Sequence, residues 1–304
     1  MQIAPTPPTA PTVNIEQPAL IARDGYELGA TLYTPDSTAL GTVIVHGATA
    51  VPAGFYRRFA EFLAGRGMRV LTYDYRGVGR SRPASLRGFR ARMSDWALLD
   101  ADAAHALVRT LFPGEPVATI GHSFGGQLIG LSDASHDVRG TLLFGSQLGY
   151  YGHWKPRDRF RLGFIWRAVV PTVTKSLGYL PGKLGMGEDL PRGVAEEWAT
   201  WCSHPDYLMG PNPDARARFA RFDKPMVLYS ASDDAYAPAP AVRALLASLP
   251  NAPVEHRTLT PESYGGAPIG HFGFFKPRFE ATVWEDAAAF LRSALGAEPS
   301  TACA

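Results

Sequence analysis

Three short stretches carry residues that together can attack a carbonyl and move a proton. The first is Gly121-His122-Ser123-Phe124-Gly125, with a further glycine at Gly126. A strand that runs directly into a helix strains the backbone at its apex, and only flanking residues without bulk tolerate the turn. Gly121 and Gly125 give that room, so Ser123 stands clear of the sheet edge with the free N–H groups of the next helix facing it. The second stretch is Ser232-Asp233-Asp234-Ala235-Tyr236-Ala237-Pro238, whose adjacent carboxylates cannot both face one imidazole. The third is Ile269-Gly270-His271-Phe272-Gly273; among eight histidines, only His271 follows the acids in a glycine-flanked loop. Taken singly, these are a glycine-rich turn, a helix cap ahead of Ala239 and a surface histidine. Taken together, hydroxyl, imidazole and carboxylate are a nucleophile, a general base and the group that orients the base.

The elements that must position them follow from apolar spacing. The β-branched run at 117–120 is a buried strand leading into the serine turn, and 127–131 continues as a helix. Further strands are expected at 42–45, 69–73, 140–144, 225–229 and 254–259, and helices at 55–64, 95–111, 239–249 and 278–295. Residues 18–22 and 27–33 flank Asp24-Gly25 as an antiparallel hairpin. Phe55, Phe59, Phe62 and Leu63 share one helix face, which Gly65 and Gly67 end, and Ser94 is the expected N-cap of the next helix. Strands alternating with helices predict a parallel sheet with right-handed crossovers. Between 148 and 222 the rhythm changes: no strand is evident, and aromatics crowd in from Tyr150, Tyr151 and Trp154 to Trp198, Trp201 and Tyr207. That stretch is too long for one crossover, and a helical insertion over the serine side of the sheet is expected.

With these residues in view, the chain resembles the α/β-hydrolases, in particular their serine-aminopeptidase and monoacylglycerol-lipase-like group. The resemblance rests on the G-x-S-x-G elbow and on the chain order Ser…Asp…His, which chymotrypsin-like and subtilisin-like folds do not use. It rests also on the stretch 55–81, FYRRFAEFLAGRGMRVLTYDYRGVGRS, in which Asp74, Arg76, Gly77, Gly79 and Ser81 shape a loop. It covers about 24–295 and implies an α/β-hydrolase fold, a mostly parallel eight-stranded sheet flanked by helices. Core parts are expected at 15–147 and 223–296, with a helical cap at 148–222. The family's D-x-x-x-P spacing, counted back from Pro238, selects Asp234 and leaves Asp233 to a turn or a helix cap.

The resemblance thus implies Ser123, Asp234 and His271 as the catalytic set. It places oxyanion donors at the N–H of Phe124 and at that of Ala48 or Thr49, in a loop where Ala48 replaces the family's second glycine. His46, His122, Tyr150, Tyr151 and Trp154 are expected to border the substrate pocket. His153, Arg157, Arg159 and Arg161 form a basic face, toward solvent or an anionic substrate. The expected activity is hydrolysis of a small-molecule carboxylic ester with an apolar part, through an acyl-enzyme and with no metal or organic cofactor. Thioester or amide hydrolysis and acyl transfer use the same set. A ligand-binding member without turnover is the remaining alternative, against which the intact set stands.

Bulk properties bound the rest. A chain of 304 residues with net charge +2 offers no footprint for nucleic acid or an anionic membrane. Its two cysteines, Cys202 and Cys303, build neither a disulfide framework nor a zinc spacing. Residues 1–14 read as a Pro/Thr-rich arm without the basic start and apolar core of a signal peptide, and 297–304 as a flexible tail. No run approaches the roughly 20 apolar residues of a membrane span, and a cytoplasmic location is expected.

Overall fold

Eight strands form one sheet: β1 (Val13–Glu16), β2 (Ala30–Pro35), β3 (Thr42–His46), β4 (Arg69–Tyr73), β5 (Val117–His122), β6 (Thr141–Phe144), β7 (Met226–Ala231) and β8 (Val254–Leu259). They lie in a computed structural model that describes residues 12–184 and 187–296, so the expected tail and most of the expected arm fall outside it. The strand order is β1-β2-β4-β3-β5-β6-β7-β8. The first two neighbouring pairs, β1-β2 and β2-β4, are antiparallel and the remaining five are parallel. Because β3 sits between β4 and β5, the winding reverses there, which opens a crevice at the C-terminal ends of those strands.

Alternation along each strand serves two cores. Val43 and Val45 join Phe59, Leu63, Trp284 and Leu291 on one side, whereas Ile44 joins Trp96, Phe124, Leu143 and Val242 on the other. Helices α1 (Arg57–Ala64) and α8 (Glu285–Ala294) cover the first side. The second is covered by α2 (Asp102–Leu111), α7 (Ala239–Ala247) and the segment between β6 and β7. That segment contains α3 (Pro156–Phe164), α4 (Val170–Leu177), α5 (Arg192–Ser203) and α6 (Pro213–Arg221). Cys202 is buried in α5, and Cys303 lies outside the described residues. No helix among the described residues is long and apolar enough to cross a membrane.

Several expected boundaries move for local reasons. Val13 and Asn14, assigned to the arm, pair with Pro35 and Thr34 in β1. The run expected at 27–33 breaks at Gly29, whose N–H turns aside to Ser81 Oγ at 2.8 Å. Leu20–Ile21 therefore pairs with Glu27–Leu28 in a separate ribbon, and β2 joins the main sheet. Helix α1 follows a 3₁₀ turn, Ala53–Tyr56, which buries Tyr56 and leaves Phe55 exposed instead of on the apolar face. Ser94 does not cap: the Arg92 N–H donates to Asp95 at 2.8 Å, and Ser94 instead donates to Glu197 of α5. A two-stranded ribbon, Tyr179–Leu180 with Leu190–Pro191, stands where no strand was expected.

One polar feature lies inside the second core. His46 of β3 and His105 of α2 stack with ring centroids 5.4 Å apart, both fully buried. Burial holds both imidazoles below their ordinary pKa, His105 at about 4. Unfolded, they take up protons as pH falls below about 6.5, whereas folded His105 resists until near 4. The contribution of the two histidines to stability is therefore full above pH 6.5 and falls as pH drops toward 4. Between pH 7 and pH 5, His105 alone should remove about 2 kcal/mol. Urea denaturation at the two pH values measures this, and His105→Leu should flatten the difference. A pH dependence of stability in His105→Leu identical to that of the parent would contradict it.

Candidate active site

Strand β5 ends at His122, and Ser123 opens a buried 3₁₀ helix, Ser123–Gly130. Ser123 has φ +53°, a left-handed backbone that a non-glycine residue adopts only under constraint. Close approach supplies the constraint. A Cβ on Gly121 would lie 2.6 Å from the Gly126 nitrogen, and one on Gly125 only 2.1 Å from the His46 carbonyl oxygen. The helix thus lies directly against the ends of β3 and β5 with the serine at the tip. The Phe124 ring packs edge-on against the stacked pair Tyr75 and Trp96 and anchors the turn in the core.

The acid follows β7. Asp234 Oδ1 accepts the N–H groups of Tyr236 and Ala237 at 2.8 and 3.0 Å. Its Oδ2 meets His271 Nδ1 at 2.7 Å, both residues being nearly inaccessible. Asp233, expected in a turn or a helix cap, accepts the N–H groups of Ile269 and Gly270, both at 2.9 Å, and so holds the loop that presents His271. Gly145, just past β6, lies beneath the pair; a Cβ there would come within 3.1 Å of His271 Nδ1 and 3.3 Å of Asp234 Oδ2. The His271 loop is tied to the serine turn, because His122 Nε2 lies 2.9 Å from the His271 carbonyl oxygen and the two rings are 5.0 Å apart. Ser123, Asp234 and His271 are thereby brought to one rim of the sheet, at the C-terminal ends of its parallel strands.

In the loop after β3 the N–H groups of Ala48 and Thr49 differ in their partners. The Ala48 N–H donates to Tyr56 Oη at 2.8 Å and is committed inside the protein, whereas no hydrogen bond among the described residues uses the Thr49 N–H. Phe124 N–H belongs to the first turn of its helix, where N–H groups lack intrahelical partners. Ala50 has φ +60°, and the Ala53 N–H is held by Asp74 Oδ1 at 2.6 Å, so this loop is fixed at both ends.

Two residues expected to border the pocket lie inside the protein. His46 and His122 are buried at 2% and 0% exposure, because their ring nitrogens are drawn to Tyr73 Oη and Tyr56 Oη, both at 2.8 Å. Burial, reinforced by the neighbouring His271, holds His122 well below the ordinary histidine pKa. Tyr150, Tyr151 and Trp154 are partly exposed at the start of the insertion. Trp154 Nε1–H donates to the Ala235 carbonyl at 2.9 Å, beside the acid, whereas Tyr151 packs against Tyr150 and under the Arg167 guanidinium. His153 packs on the Tyr150 ring, and Arg157, Arg159 and Arg161 lie on the exposed face of α3. Tyr236 and Phe272 escaped the sequence reading: their rings lie 5.3 and 5.2 Å from His271, and both stay exposed. Their place beside Asp234 and His271 was the available signal. Among the described residues, no three His, Cys, Asp or Glu gather as a metal site.

A serine at a strained strand–helix apex, on a sheet rim that also carries a buried Asp–His pair, is the arrangement of an α/β-hydrolase. Residues 42–282 match the model of the alpha/beta hydrolase family, and the chain belongs to that family. Monoglyceride lipase of Homo sapiens is 28% identical over 131 residues, a match that spans 42% of this chain and 41% of that relative. A brefeldin A esterase, described as a bacterial homologue of human hormone sensitive lipase, superimposes with TM-score 0.62 at 18% identity, over 97% of this chain and 81% of its own. An esterase of Pyrococcus furiosus gives 0.60 at 19% identity over 93% and 92%. A monoacylglycerol lipase of Paleococcus ferrophilus gives 0.55 at 15% over 88% and 99%. At these identities the structures show a shared fold.

The elbow's close packing is testable. Gly125→Ala drives a methyl into a main-chain oxygen that cannot step aside and should remove about 3 kcal/mol of stability. Gly54→Ala, with nothing near its Cβ position, should melt like the parent. Equal thermal midpoints for the two variants would contradict the packing.

Proposed function

We propose that the protein hydrolyses carboxylic esters, with Ser123 as nucleophile, His271 as general base and acid, and Asp234 as the group that orients the imidazole. The observation that carries this reading is the buried 2.7 Å contact between Asp234 Oδ2 and His271 Nδ1. With Nδ1–H donated to the carboxylate, Nε2 is the basic nitrogen. It takes the Ser123 proton as Oγ bonds to the carbonyl carbon and the C=O pair moves onto oxygen. That oxyanion is received by the N–H groups of Phe124 and Thr49. Collapse restores the carbonyl and breaks the bond to the alcohol, which leaves with the proton from His271. Water, deprotonated by His271, then attacks the acyl-enzyme and releases the acid and free Ser123.

The substrate we infer is a small ester with an apolar part. The aromatic rings of Trp154, Tyr236 and Phe272 beside the Asp–His pair support it, as do the monoglyceride lipase relative and the esterases of like fold. In this reading residues 148–222 act as the cap. Hydrolysis of p-nitrophenyl esters of increasing chain length is the test. Ser123→Ala should lower kcat about 10⁴-fold or more, and Asp234→Asn about 10³-fold or more. Asp233→Asn, which only loosens the His271 loop, should fall less. Undiminished turnover by the serine variant, or a larger loss at Asp233 than at Asp234, would contradict the assignment.

A further inference from the structure

A chain of buried hydrogen bonds runs beneath the site without touching the reacting atoms. The Ala48 N–H donates to Tyr56 Oη at 2.8 Å, Tyr56 Oη lies 2.8 Å from His122 Nδ1, and His122 Nε2 lies 2.9 Å from the His271 carbonyl oxygen. We propose that Tyr56 and His122 are positioning residues, a relay that locks the loop after β3 and the His271 loop to the Ser123 elbow. The proposal rests on the hydrolase reading above.

Proton counting gives the relay one direction. An amide N–H can only donate, so Tyr56 Oη accepts there and directs its single hydrogen to His122 Nδ1. That nitrogen is then unprotonated, and the neutral ring carries its hydrogen on Nε2, whose partner among the described residues is a carbonyl. Every donor and acceptor is matched once, and reversing any bond leaves one unmatched. The surroundings keep the arrangement dry: the Phe275 ring lies 4.9 Å from Tyr56 and 5.0 Å from His122, and Phe55 flanks both rings. Burial also keeps His122 neutral, the state the relay needs.

Four segments are joined by these three bonds. Ala48 precedes Thr49, whose N–H awaits the oxyanion, and His122 precedes Ser123. Tyr56 ends the turn into α1, and the His271 carbonyl belongs to the residue that carries the base. Separations among nucleophile, base and oxyanion donor are thereby set by one Tyr–His unit, in a dry interior where such bonds are strong and hard to rearrange. Displacing a reacting group by about 1 Å lowers rate far more than affinity.

Tyr56→Phe is the discriminating variant, because it keeps the ring and its aromatic contacts and removes only the hydroxyl. In full-length protein, with the p-nitrophenyl ester turned over best, it should lower kcat about tenfold or more while KM stays within about twofold. His122→Phe should do the same, and the double variant should be no slower than the worse single one, since either change breaks the whole relay. His122→Gln, whose amide can still donate to the His271 carbonyl, should recover part of the loss. A merely structural role predicts the opposite split: lower melting temperatures and unchanged kcat in the folded single and double variants. That result overturns the relay. Ser123→Ala separates the two levels. If it is silent while Tyr56→Phe turns over at the parent rate, only the relay fails; if Ser123→Ala still turns over ester, the hydrolase reading fails with it.

Discussion

The contact between Asp234 and His271 is the point on which the site depends, and each partner is held before the two meet. Two backbone N–H groups of its own turn fix the Asp234 carboxylate, leaving Oδ2 for the imidazole. The neighbouring Asp233 bonds two N–H groups of the loop that carries His271. Adjacent carboxylates thus divide the work: one faces the ring and the other fixes the backbone that presents it. Burial strengthens both sets of bonds, because water does not compete for them.

A parallel sheet makes the convergence possible. Loops at the C-terminal ends of β3, β5, β6, β7 and β8 all open on one rim, so residues far apart in sequence meet without long excursions of chain. Bare backbone is needed where those loops crowd together. Gly121 and Gly125 let the elbow helix touch the strands, and Gly145 leaves space beneath the Asp–His pair. The strained φ of Ser123 persists because packing on every side fixes its neighbours.

Much of this was legible in the chain. Strands with dense β-branched runs, such as 42–45 and 69–73, stand close to where their patterns put them, and the elbow announces itself by its glycines. Choosing Asp234 over Asp233 needed the spacing to Pro238, since local chemistry suits both equally. What escaped depends on register and partners that no local pattern encodes. Tyr56 turns inward because a 3₁₀ turn precedes α1, and once buried it takes the Ala48 N–H and holds the His122 ring in the interior. Gly29 breaks a strand because Ser81, distant in sequence, takes its N–H. Tyr236 and Phe272 become neighbours of His271 only when the two loops close on each other.

Convergence on Ser123 is read most directly by covalent chemistry that needs no knowledge of the substrate. A fluorophosphonate reacts with a serine whose proton a neighbouring base removes, and peptide mapping by mass spectrometry locates the adduct. The folded protein should carry a single adduct, on the peptide containing Ser123, and heat-denatured protein should carry none. An unmodified Ser123 in the folded protein, or an adduct confined to another serine, would contradict it.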